Sequence, residues 1–148
     1  MSTEPLHAPA TAPSSRAISR VVPAIARYLL GLPLVIFGLN GFLNFIPQPE
    51  VVLPDDALAF VTALMNSGYM MQLIAATHLI VGILLVVNRC VPLALVLFAP
   101  FIVNSMAFHL VLERSGLPMA TVFLAFELYL AWVYRAAFQP LFTYRLKR

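Results

Sequence analysis

Fixed charge is missing from four long stretches of this chain. Between Arg27 and Glu50, Asp56 and Arg89, Arg89 and Glu113, and Arg114 and Glu127 there is no Asp, Glu, Lys or Arg. A helix needs about 20 apolar residues to cross roughly 30 Å of hydrocarbon, and it satisfies its own backbone polar groups there. The pattern predicts an all-α protein: a transmembrane antiparallel four-helix bundle with spans over residues 28–46, 69–87, 91–112 and 117 to about 138. The connection between the first two spans carries its own pattern. Pro54, Asp55 and Asp56 open a helix, Leu58, Val61, Leu64 and Met65 recur at helical spacing, and Asn66, Ser67 and Gly68 close it. That segment is too short to span and predicts an interfacial helix capping the outer end of the bundle. The connections at 88–90 and 113–118 are short, so the spans they join should lie antiparallel.

Composition agrees, at 61% hydrophobic and 10% charged residues, with a mean hydropathy of +0.92. Charge adds orientation. Of nine Lys and Arg residues, Arg16, Arg20, Arg27, Arg89, Arg135, Arg145, Lys147 and Arg148 fall on one side of the predicted spans and only Arg114 on the other. The positive-inside rule makes the first side cytoplasmic, with both termini there. Tyr28, Tyr69, Trp132 and Tyr134 stand near the predicted interfaces as aromatic anchors. This distribution accounts for the net charge of +3, so the lipid bilayer, and not nucleic acid, is the partner implied. Residues 1–20, with Pro5, Pro9 and Pro13 among Ser, Thr and Ala, read as a disordered cytoplasmic tail. Residues 21–142 form the membrane domain and 143–148 a basic cytoplasmic tail. The first apolar segment is too long for a signal-peptide core.

Polar side chains inside hydrocarbon are costly, so each is a candidate for function and, equally, for interhelical hydrogen bonding. His78 lies nine positions from Tyr69, and Glu127 ten from Leu117, which places both near the middle of the membrane and within reach of pairing. Asn104 and Asn40 sit further out, and Asn44, Gln72 and His109 nearer the outer surface. Asn40 and Asn44 share a helix face. Pro100 cannot donate to the carbonyl of Val96, which distorts the third span just ahead of Asn104. Met71, Ala75, His78 and Gly82 form one stripe, where the small Gly82 admits a neighbouring helix. These residues outline a ligand or proton site, a polar pocket in the outward half of the bundle, closed toward the cytoplasm by apolar side chains. Arg135 is more than about 10 Å along the helix from Glu127, too far for easy contact.

Several chemistries are excluded. Disulfide exchange needs paired thiols, and the chain has a single cysteine, Cys90. His78 and His109 are misaligned in depth by roughly 9 Å, which argues against a haem held between them. No zinc spacing, phosphate loop or hydrolytic triad is present, and no residue is assigned a catalytic role.

Four motifs carry a family resemblance: FGLNGF at Phe37 to Phe42, HLIVGILLVVNR at His78 to Arg89, the P-x-x-x-N-x-x-x-F-H pattern from Pro100 to His109, and ELYLAWVYRAAFQPLF at Glu127 to Phe142. In this order and spacing, over about residues 25–142, the chain resembles the DoxX family. The resemblance implies a small four-helix protein of the bacterial inner membrane. Some members are linked to thiosulfate:quinone oxidoreductase and others to membrane oxidoreductase assemblies, so it implies redox partner proteins and a quinone as the candidate cofactor. Many relatives carry an acidic residue in the second span where this chain has His78. Three functions stand open. One is a small redox-system subunit binding a quinone-like lipophile in the outer-half pocket, another a proton-coupled permease or exporter titrating Glu127, and the third a ligand-free scaffold. A homo-oligomer fits so small a bundle, but no G-x-x-x-G motif marks an interface.

Overall fold

The computed structural model describes residues 15–47 and 52–142, so the segments 1–14 and 143–148 of the expected tails lie outside the described residues. Within them every regular element is helical: α1 Ser15–Leu43, α2 Asp55–Asn66, α3 Met70–Val86, α4 Val91–Val111 and α5 Leu117–Val133, followed by two 3₁₀ turns at Arg135–Ala137 and Gln139–Phe142. Two helices are long and apolar enough to cross a membrane, the Val21–Leu43 part of α1 and α4. A third crossing is added if α2 and α3, bent by 86° at their junction, are taken together, while α5 is apolar but shorter. The molecule is a membrane protein.

The helix bounds at α3 and α4 fall within a residue of the expected spans, and α2 stands where its stop and start signals put it. Three boundaries differ, and one is the end of the first span: α1 stops at Leu43, where Ile46 was expected, because Asn44 turns left-handed with φ +49°. Helix α1 begins at Ser15, inside the stretch assigned to the disordered tail. No proline interrupts residues 14–22, and Ile18, Val21, Val22 and Ile25 follow a helical spacing there. At the other end α5 stops at Val133, where Phe138 was expected, and the chain tightens into i to i+3 bonds from Tyr134 to Ala137 and Arg135 to Phe138 ahead of Pro140.

Helix α1 packs on α3 and α5, and α4 on α3 and α5, so these four close a ring, with α2 attached to α3 at one end. The tightest pairing is α1 with α3, and glycine sets it. A Cβ on Gly38 would stand 2.6 Å from the Leu79 backbone nitrogen, and one on Gly82 2.7 Å from that of Val35. Gly31 and Gly41 meet Leu85 and Ala75 along the same seam. The expected role of Gly82 in close helix approach therefore holds. Leu30, Leu34, Val81, Leu85, Leu95, Phe98, Ile102 and Leu130 fill the interior. Outward the bundle shows apolar side chains, with Val103 64%, Leu128 61% and Val111 78% exposed. That is far more than a water-soluble monomer leaves uncovered.

Candidate functional site

An open groove of about 380 Å³ lies where α2 bends away from α3. Phe60 and Leu64 of α2 form one wall, Met70, Leu73, Ile74 and Thr77 of α3 a second, and Leu97, Pro100, Phe101 and Asn104 of α4 a third. The bend comes from the turn between the helices. Gly68 adopts a left-handed φ of +77°, and the Ser67 hydroxyl donates to Leu64 O at 2.6 Å while accepting from Met70 N–H at 3.0 Å. It thus ends one helix and starts the next. Phe60 rests on Phe108 with ring centroids 5.6 Å apart, holding α2 across the end of α4. The groove is apolar apart from two groups: the Thr77 hydroxyl, which donates to Leu73 O at 2.8 Å, and the exposed Asn104 amide. Pro100, in the same wall, leaves the Val96 carbonyl one turn earlier in α4 without its helical donor.

Behind the groove stands His78. Its ring meets Phe101 edge-on at 4.2 Å and tilts against Phe98 at 6.1 Å. The residue is 9% exposed, and its Nε2 has no hydrogen-bond partner. Phe101 therefore faces the groove on one side and the imidazole on the other.

Glu127 is also buried, 6% exposed, and its Oε2 is unpartnered. It does not line the groove, and among the described residues no hydrogen bond or ion pair joins it to His78. Both side chains face the bundle interior. Arg135 is engaged elsewhere, donating to Trp132 O at 3.0 Å with its guanidinium 4.7 Å from the Trp132 ring centre.

The other expected site residues have local work. Asn40 Oδ1 accepts the Ile46 N–H at 2.7 Å, tying down the chain as it leaves α1. Asn44, with φ +49°, is the left-handed residue that ends that helix, and its side chain is exposed. Gln72 is exposed on the first turn of α3. His109 Nδ1 lies 2.9 Å from the Glu113 carbonyl oxygen and 3.2 Å from Glu113 Oε2, and the carboxylate in turn accepts the N–H groups of Ser115 and Gly116. That network builds the α4–α5 turn. The structure thus brings Asn104 and, behind Phe101, His78 to one place, and leaves Asn40, Asn44, Gln72, His109 and Glu127 outside the groove lining.

Sequence reasoning missed Thr77, Phe60, Leu64 and Phe101, which become neighbours only through the α2–α3 bend. It also placed Arg27 ahead of the first span. The structure sets it inside α1, 8% exposed, with Nη1 donating to Leu85 O at 3.3 Å and Nε unpartnered. Its spacing from Leu30 and Leu34 on one helical face was the available signal. Among the described residues no cluster of metal-ligating side chains occurs. Comparison with protein-family models, with curated proteins and with solved structures finds no match.

Proposed function

We propose that this is a four-span inner-membrane protein with cytoplasmic termini that binds a quinone-like lipophile in the groove between α2, α3 and α4, as a small subunit of a membrane redox system. The spans are α1, α3, α4 and α5. Helices α3 and α5 have 17 residues each, roughly 25 Å of rise, and a bilayer adapts to so small a shortfall. The single observation that carries the binding reading is the groove itself. It is an apolar recess open at the side of the bundle, with one amide and one hydroxyl placed to orient a head group. A flat ring with carbonyl oxygens and an apolar tail matches that lining, and the resemblance to the DoxX family points to the same ligand class. The redox partner and any homo-oligomer belong to this proposal.

The test is equilibrium binding of a decyl-substituted benzoquinone to the full chain in lipid nanodiscs, with organic extraction of whatever lipophile co-purifies. Asn104→Leu should weaken binding by up to about tenfold, the worth of one hydrogen bond. Neither a co-purified quinone nor saturable binding would defeat the reading.

A second reading draws on Glu127. A carboxyl buried within a bundle and unpaired is a candidate proton carrier, which suits a proton-coupled permease or exporter. Reconstituted vesicles would then show a substrate-dependent proton flux that Glu127→Gln abolishes. Flux indifferent to that change would sink it. If neither ligand nor flux is found, the ligand-free scaffold stands.

A further inference from the structure

We infer that the groove continues inward past Phe101 to His78, whose Nε2 hydrogen-bonds the oxygen-bearing head of the bound lipophile while its tail stays between α2, α3 and α4. This rests on the groove being a lipophile site and adds the residue that reads the head group.

A buried ring nitrogen without a partner forfeits the hydrogen bond it would make in water, and His78 is held in that condition between two aromatic rings of α4. The two rings are not equivalent. Phe98 is fully buried in the core, whereas Phe101 is half-buried and lines the groove. Only Phe101 has open space to turn into. It directly follows Pro100, where the helix lacks one backbone hydrogen bond and deforms more easily. A rotation of Phe101 toward the groove removes the one ring separating the recess from the imidazole.

The chemistry of imidazole narrows the head group. In one tautomer Nε2–H donates to a carbonyl oxygen, and in the other Nε2 accepts from a hydroxyl. The same side chain therefore serves a quinone and the corresponding quinol without moving. Asn104, an amide with both a donor and an acceptor, has the same versatility at the mouth of the groove.

The test uses the full chain in lipid nanodiscs with histidine side chains labelled with ¹⁵N. The sequence has only three histidines, and His7→Asn and His109→Asn assign the signals. Adding the decyl-substituted benzoquinone should shift the His78 ring resonances with the same saturation as the binding curve. Decylbenzene, which lacks the oxygens, should leave them in place. His78→Phe, which keeps an aromatic ring in the core, should weaken quinone binding about tenfold, as the loss of a single hydrogen bond predicts. Phe101→Ala, which leaves His78 intact, should speed quinone association and preserve the shift. If Asn104→Leu weakens binding while the His78 signal stays still and His78→Phe binds normally, the inference is overturned and the groove reading survives. A His78 shift of equal size with decylbenzene also overturns it, because the hydrogen bond is then not its cause. Failure of the wild type to bind the quinone at all defeats both.

Discussion

Glu113 lies in the turn between α4 and α5, outside the spans, and its carboxylate is held by the turn it organises. Hydrogen bonds from Ser115, with smaller help from Gly116 and His109, bring its pKa down from 4.5 to about 2, against a partial burial that pushes it up. A folded value below the ordinary one means the turn gains stability from the ionised form above about pH 4.5, and loses it as pH falls through about 2. The amide proton shifts of Ser115 and Gly116 should titrate together near that lower value, and Glu113→Gln should flatten both curves. Curves centred on the ordinary carboxylate value would show that the network is not formed. The glycine seam is equally specific at the scale of one side chain. Gly82→Val adds atoms where even a Cβ would stand 2.7 Å from Val35 N and 2.8 Å from Gly31 O, both backbone groups that cannot rotate aside. Overpacking of this kind is worth about 1–3 kcal/mol, so the midpoint of denaturant unfolding in detergent should fall. Gly82→Ala should fall less, and an unchanged midpoint for both would mean that the two helices are not this close. The sequence made Gly82 legible because a small residue on a polar stripe invites a neighbour. It made Asn40 and Asn44 look like a cavity wall because their helical spacing is visible, whereas the end of α1 at Leu43, which turns them to capping work, depends on a left-handed turn that spacing does not reveal.

Among the elements, α4 best separates what composition announces from what packing decides. Its bounds follow from the absence of charge over 91–112, and Pro100 is plain in the sequence. The consequence of Pro100 is not, because it depends on α2 lying across one end of α4 and leaving Pro100 in the wall of a recess. Pro100→Ala restores one helical hydrogen bond and removes a ring from the groove wall. The variant should unfold at higher denaturant than the wild type and bind the benzoquinone more weakly, with slower association. A more stable variant that binds faster would contradict the role given to local deformability at Phe101. Helices α3, α4 and α5 were readable almost to the residue at their starts because charge, proline and glycine punctuate them. The 86° bend between α2 and α3 was foreshadowed by the stop signal at Asn66, Ser67 and Gly68, but its angle was not. That angle is set by the local Ser67 hydrogen bonds together with the Phe60–Phe108 contact, which joins residues far apart in sequence. The candidate site was therefore half legible: Asn104 and His78 stood out as polar groups in apolar surroundings, while their apolar companions were indistinguishable from any lipid-facing side chain.

For the molecule as a whole, the decisive question is how often the chain crosses the bilayer, and one native residue already marks a crossing. Cys90 is exposed in the connection between α3 and α4 and is the sole cysteine, so a membrane-impermeant maleimide reports its side directly. The proposed orientation, read from the basic residues, puts it in the cytoplasm. It should stay unlabelled in intact spheroplasts and react once they are permeabilised. Further positions extend the measurement in a Cys90→Ser background: Asn66→Cys at the end of α2, Ser115→Cys in the α4–α5 turn, and Gln139→Cys after α5, all three exposed. Four crossings require Asn66→Cys and Ser115→Cys to label from outside and Gln139→Cys only after permeabilisation. Each alternative leaves a different mark. If α3 fails to cross, positions 66 and 90 report the same side. If α5, the shorter helix, fails, positions 115 and 139 do. The groove reading depends on the first of these results more than on the second. Its walls come from α2, α3 and α4, and only a spanning α3 puts Thr77, His78 and the opening beside Asn104 at a depth where a lipid-borne molecule can reach them from the side.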